Sequence, residues 1–312
     1  MNAVPMPITP ELPSFDPRAR FHAERRLGIG GSDVAPILGL SPWRTALDVY
    51  LEKTGEAEPQ HDSEAMLWGR VLEPVIRRQY AERTGRTVMT PEAITSERYP
   101  FMRANADGIT DDGRVLEIKT ARTADGWGES GSDEIPQAYL LQVQHYMLVT
   151  ALPVADVAVL IGGSDLRIYE VPADRDIHEI LIEAEARFWQ RVEQREPPPV
   201  VTYDDAVHRY GHHPAAGAVL ASDEAVASID RLRAIKAEIE MLESEQALHK
   251  AVITKALADR GDTLIHAGRT LATWKLAKAP QRFDTKAFAA AHPDLHAQFL
   301  VTGEPSRRLL IK

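Results

Sequence analysis

The chain has 312 residues, is 44% hydrophobic and 26% charged, carries a formal net charge of −10 and contains no cysteine. Such a length buries a core of ordinary density, as one large domain with an appendage, and the missing thiols exclude a disulfide scaffold and any thiolate metal site, as suits a reducing, cytoplasmic setting. The acidic balance excludes a protein that coats nucleic acid nonspecifically, and no apolar run approaches the roughly 20 residues of a membrane span.

Residues 1–19, opening MNAVPMPITPELPSF, read as a Pro-rich arm, because they lack the basic start and continuous apolar stretch of a signal peptide. Three helices follow: Ser32 to Leu38, stopped by Gly39; one with Ser41 as N-cap and Pro42 as first residue, ending at Gly55; and Ser63 to Thr84, stopped by Gly85 and kinked at Pro74. Strands are expected over Phe101 to Thr110 and Arg114 to Thr120, joined by a tight turn at Asp112-Gly113. A helix from Pro136 to Thr150, two strands around Gly162-Gly163 and an amphipathic helix from Ile177 to Arg195 complete a mixed α/β unit. The EPPP run at 196–199 marks its end, and 197–221 read as a linker. Beyond it, 222–312 form a long helix from Ser222 to Asp259, with Ala225, Leu232, Ile235, Ile239, Leu242, Ile253 and Ala256 on a heptad-like stripe, and a small α+β tail.

The chemistry is carried by NADGITDDGRVLEIKT. Side chains alternate along a strand, so Glu117 and Lys119 share one face while Leu116 and Ile118 take the other. A turn at Asp112-Gly113 brings Asp107 across from Glu117, so two carboxylates and an ammonium converge. Phosphodiester hydrolysis needs that set. One or two hard cations, Mg²⁺ or Mn²⁺, activate water and offset charge on the phosphate, and Mg²⁺ takes its oxygens from one or two carboxylates, water and phosphate. Asp107 and Glu117 supply carboxylates, the Ile118 carbonyl is a third ligand, and Lys119 orients water or offsets charge. The alternative is a solvated hairpin, since a bare D…ExK spacing arises by chance.

Four segments in order resemble the YqaJ-like viral recombinase and lambda-exonuclease group of PD-(D/E)xK nucleases: RRLGIGGSDVAPILGLSPWRT, MLWGRVLEPVIRRQYAERTG, ANADGITDDGRVLEIKT and AYLLQVQHYMLVT. The resemblance implies a restriction-endonuclease-like α/β core, a mixed sheet flanked by helices, over about 20–196. It implies Glu73 as a helix carboxylate at the metal, Asp107 and Glu117 as principal ligands, and Lys119 as the catalytic lysine. Gln142 stands beside the centre, with Gln144 as its alternative, and Tyr146 falls where relatives carry a QxxxY tyrosine. Arg25 or Arg26, with Ser32, matches residues that hold a terminal 5′-phosphate, although GGS replaces the usual Thr-Ala-Ser. Ser32 is equally well read as a helix N-cap, and helix N-termini bind phosphates. The implied activity is a magnesium-dependent 5′→3′ exonuclease on double-stranded DNA ends, homo-oligomeric, leaving single strands for an annealing recombinase. The alternatives are an endonuclease of the same fold and an inactive DNA-end-binding module.

Other signals are set aside. Gly28-x-Gly30 lacks the third glycine of a dinucleotide loop, no GxxxxGK[ST] or GxSxG is present, and His208, His212 and His213 read as a solvated linker. Trp43 and Trp68 are assigned to the core rather than to base stacking.

Overall fold

A computed structural model describes residues 23–57, 63–212, 214–303 and 305–311; the N-terminal arm and His213 lie outside them. The chain divides into two units, 1–206 and 207–312.

The first unit begins with β1 (Ile29–Gly30), α1 (Gly31–Ile37), α2 (Ala46–Thr54) and α3 (Glu64–Thr84). The short strands β2 (Val88–Met89), β3 (Ile94–Thr95), β4 (Met102–Ala104) and β5 (Gly108–Thr110) lead to β6 (Val115–Ala121). Then come α4 (Gln137–Thr150), β7 (Val154–Ile161), β8 (Asp165–Pro172) and α5 (Arg175–Gln194), and the boundary between the units falls within α6 (Tyr203–Tyr210). The main sheet has the order β2-β5-β6-β7-β8; β6 and β7 are parallel across the α4 crossover, and the other pairs are antiparallel. A smaller sheet has the order β1-β4-β3.

Helices cover both faces of the main sheet. Val115, Val157 and Val159 pack with Val143 and Met147 of α4, while Leu116, Ile118 and Ala158 pack with Ile76 and Tyr80 of α3. A strand covered on both sides needs apolar side chains at consecutive positions, which is why VADVAVLI does not alternate. This mixed sheet between helices is the α/β architecture expected from the sequence.

Several boundaries differ from the sequence reading, each for a local reason. The second helix starts not at Pro42 but at Ala46. Thr45 Oγ1 accepts the Asp48 N–H at 3.2 Å and Asp48 returns a carboxylate to the Thr45 N–H at 2.8 Å, whereas Ser41 Oγ only closes a turn onto Trp43 and Arg44. The N-cap of α1 is Gly30, whose N–H donates to Asp33 at 3.0 Å, so Ser32 lies inside the first turn and is not the cap. The expected strand from Phe101 to Thr110 is split between the two sheets, with residues 105–107 outside both ladders. The turn after β5 spans three residues, with Thr110 and Arg114 bonded across it and Gly113 left-handed at φ 80°. Helix α6 forms within the stretch read as linker. There Asp205 accepts the N–H groups of Val201 and Thr202 and the Thr45 hydroxyl, the last at 2.6 Å.

In the second unit, α7 (Asp223–Leu257) is capped by Ser222, whose Oγ accepts the Ala225 N–H at 3.2 Å. The hairpin of β9 (Thr263–His266) and β10 (Arg269–Thr273) and the short helices α8 (Thr285–Ala291) and α9 (Pro293–Gln298) follow. Among the described residues, Leu257 is the unit's one buried apolar side chain. No described helix of either unit is long and apolar enough to cross a membrane.

Candidate active site

The main-sheet register runs from Gly108 opposite Leu116, so the next step outward sets Asp107 opposite Glu117. The Asp107 carboxylate takes up the Ile118 N–H at 2.7 Å, a bond that a ladder would give to a main-chain carbonyl, and this occurs where the strand breaks. Glu117 is buried. Its Oε1 accepts from Lys119 Nζ at 2.5 Å and from Gln142 Nε2 at 2.7 Å, while its Oε2 is buried with no partner. Gln142 Nε2 also donates to the Tyr146 hydroxyl at 3.0 Å. The Lys119 ammonium lies 4.9 Å from the centroid of the Tyr139 ring, an aromatic face that attracts cations.

The electrostatics follow from this crowding. Burial, and then the neighbouring Glu117 carboxylate, push the Asp107 carboxyl up to about 8. Burial also raises Glu117 above the ordinary carboxylate range. Burial works against the Lys119 charge, but Glu117 outweighs it and holds the ammonium above its usual value. Tyr146 is raised by burial and by the same carboxylate. Glu73 on α3 pairs with Arg77 one turn on, and its charge is felt by both Asp107 and Glu117. Helix α3 crosses the end of β6, since a Cβ on Gly69 would stand 4.0 Å from Thr120 Oγ1.

The donor set is of the kind that holds a divalent cation. Burial raises both carboxyls, a cost that a bound cation offsets, and Glu117 presents a buried oxygen with nothing bonded to it. No group of three His, Asp or Glu side chains suited to a metal occurs among the described residues. A site of two carboxylates leaves the remaining positions to water and phosphate, the coordination that Mg²⁺ favours.

The other expected residues fall in distinct places. Gln144, the alternative to Gln142, is buried as Gln142 is. Gln144 bridges Pro172 O at 2.7 Å and the Asp174 N–H at 2.9 Å, away from the carboxylates. Arg25 Nη1 reaches Ser32 Oγ at 3.4 Å, whereas Arg26 lies over Gly55. Trp43 and Trp68 are 72% and 55% exposed, so neither belongs to the core. His212 Nδ1 lies 3.3 Å from Pro305 O.

Sequence reasoning missed the charged cluster behind Ser32. Asp33, fully buried, pairs with Lys53 at 2.6 Å, Arg25 at 2.8 Å and Arg44 at 3.4 Å, and Glu52 pairs with Arg25 and Arg44 at 2.6 Å each. Burial alone would raise the Asp33 carboxyl; Lys53, then Arg25 and Arg44, bring it down to about 2. It also missed the role of the first glycines. A Cβ on Gly31 would stand 2.7 Å from Tyr146 Cε1 and 2.9 Å from Gln142 Cγ, and one on Gly28 would stand 2.7 Å from Phe101 O. Gly31 lets α1 touch the helix that carries Gln142, and Gly28 lets the chain before β1 approach Phe101 and Arg103.

Comparison with known proteins places the chain. A model of the YqaJ-like viral recombinase domain matches residues 20–153. The uncharacterized protein YqaJ of Bacillus subtilis (strain 168) is 32% identical over 289 residues, covering 89% of each chain. The chain belongs to the YqaJ family of viral-recombinase-like proteins. Among solved structures, the alkaline exonuclease LHK-Exo of Laribacter hongkongensis is 18% identical, covers 57% of this chain and 94% of its own, and has a TM-score of 0.48. A putative exonuclease of Eubacterium rectale is 12% identical, with coverages of 67% and 97% and a TM-score of 0.46.

Proposed function

We infer that the chain is a metal-dependent deoxyribonuclease that degrades double-stranded DNA from its ends in the 5′→3′ direction, leaving single strands for an annealing recombinase. The observation that carries this reading is the convergence of Asp107 and Glu117 around a buried, unpartnered Glu117 oxygen, with the Lys119 ammonium bonded to the same carboxylate. Asp107 and Glu117, with the Ile118 carbonyl, would hold Mg²⁺ or Mn²⁺, which when bound makes water acidic enough to attack at neutral pH and draws charge off the phosphate.

The chain's own groups do the remainder. Gln142 and Lys119 both donate to Glu117 Oε1, which fixes the carboxylate's rotation and leaves Oε2 to face a ligand. Lys119, kept protonated by Glu117, orients the attacking water and offsets charge on the phosphate oxygens. Glu73 of α3 adds a negative charge that both carboxyls feel. Ser32, on the helix whose Gly31 touches Gln142 and Tyr146, and Arg25, which reaches it from the segment before β1, receive a terminal 5′-phosphate, and that contact gives the polarity.

The test incubates linear duplexes, with and without a 5′-phosphate, and closed circles with the protein and Mg²⁺. Linear phosphorylated ends are degraded. Asp107→Ala, Glu117→Ala and Lys119→Ala each remove cleavage by at least about 10²-fold while the fold is retained. Wild-type rates in any of the three remove the assignment. Equal attack on closed circles transfers it to an endonuclease.

A further inference from the structure

Tyr139, Gln142 and Tyr146 recur on α4 at intervals of three and four residues, so they share one helix face. On that face Gln142 steers Glu117, and Tyr139 places its ring under the Lys119 ammonium, 4.9 Å from the centroid. The ring is itself backed by aromatic side chains. Trp127 stacks on it with centroids 5.6 Å apart and planes 28° from parallel, and Tyr169 lies tilted against Trp127 at 5.3 Å. Trp127 and Tyr169 are buried and Tyr139 is half-buried. The Tyr169 hydroxyl donates to Gly128 O at 2.8 Å and the Gly131 N–H donates to Ile168 O at 2.8 Å. These bonds pin the loop after β6 to β8, with its tryptophan against the ring. The Tyr139 N–H closes the first turn of α4 onto Pro136 O at 2.9 Å.

Lys119 needs such a support. A lysine ends a flexible four-carbon stem with three donors, and among the described residues the one acceptor its ammonium meets is Glu117 Oε1, which Gln142 shares. An aromatic face attracts the charge without adding an acceptor that competes with water or phosphate. The Lys119 side chain keeps 20% of its surface exposed, so carboxylate and ring hold the ammonium from two sides and leave it open on another. The Tyr139 hydroxyl bonds to no described residue, which leaves the ring as the part in use.

We propose that Tyr139, backed by Trp127 and Tyr169, is a positioning residue whose ring holds the Lys119 ammonium beside Glu117. Its consequence for cleavage rests on the proposed deoxyribonuclease activity, whereas its hold on Lys119 does not.

The test compares Tyr139→Phe with tri- and pentafluorophenylalanine installed at the same position, a series that keeps the ring's shape and removes the negative charge from its face. In the full chain without metal, brief treatment with acetic anhydride, read by mass spectrometry, gives the reactivity of Lys119 relative to the exposed Lys236. Only the free amine reacts, so Lys119 reactivity rises stepwise along the series, by about tenfold at the pentafluorinated ring. In Mg²⁺ the single-turnover cleavage rate falls in the same steps, to about a tenth, with the affinity for DNA unchanged. Tyr139→Phe stays within about twofold of the unsubstituted chain in both measurements. A flat labelling series overturns the proposal even if Tyr139→Leu slows cleavage, because packing alone then explains the leucine. Labelling that rises while cleavage stays constant overturns the positioning role, and a loss in Tyr139→Phe as large as in the fluorinated rings assigns the effect to the hydroxyl instead. If the unsubstituted chain leaves DNA uncut, the deoxyribonuclease reading falls, and the labelling series alone decides whether the ring holds Lys119.

Discussion

Gly31 and Asp107 show how much of this centre depends on single atoms. A methyl group on Gly31 would overlap Tyr146 and Gln142, the residue that steers Glu117. Gly31→Ala is therefore expected to cost about 1–3 kcal/mol of stability, the range for overpacking, and to slow cleavage by more than that loss explains; urea midpoints beside single-turnover rates measure both. Asp107 gives a pH prediction. Its carboxyl titrates near 8 in the folded chain and near about 4 in an unfolded one. The native state then keeps a proton that the unfolded chain releases, so without metal, stability falls as pH rises through that window. On the proposed role of Asp107 a divalent ion replaces the proton, so the thermal shift produced by Mg²⁺ is expected to be larger at pH 8 than at pH 6; equal shifts in scanning fluorimetry would dissociate Asp107 from the ion. The convergence of Asp107, Glu117 and Lys119 was legible because strand alternation and one turn determine it. The orphaned Glu117 oxygen was not, because burial is a property of what packs around β6.

At the scale of elements, legibility followed the range of the determining interaction. Gly55 and Gly85 end α2 and α3 as expected, since a left-handed C-cap is a local matter. The start of α2 was misread because Ser41 and Thr45 are both fit to cap, and only Asp48 decides between them. The cluster of Asp33, Lys53, Arg25, Arg44 and Glu52 joins α1, α2 and the segment before β1, and no pattern in any one of them announces it. Breaking a buried charge set by removing one partner costs about 3–5 kcal/mol, so Asp33→Asn, which takes from the buried Lys53 its nearest carboxylate, is expected to destabilise by that order. Its sign with pH opposes that of Asp107. The Asp33 carboxyl is depressed, so its contribution is full above about pH 4 and is lost as pH falls toward 2. An acid titration followed by circular dichroism should show a shallower limb in the variant.

For the whole molecule, Asp205 decides where the first unit can be cut. It holds the N-cap residue of α2 from beyond the proline run, so a chain ending at Pro197 loses that tie while one ending at Gly211 keeps it. The longer truncation is expected to melt close to the full chain and to retain cleavage, and the shorter one to melt several degrees lower; differential scanning fluorimetry on both separates them. The parallel pairing of β6 with β7 has a further consequence, in time rather than in space. Val115 pairs with Ala155, and α4, which carries Gln142, lies in the loop between them. Contacts so distant along the chain form late, because the loop must close before they contribute. During synthesis, Glu117 and Lys119 leave the ribosome well before the strand and helix that enclose them. The surroundings that bury Glu117 are thus among the last features to form, and the two carboxylates take their folded setting only once β7 is in place.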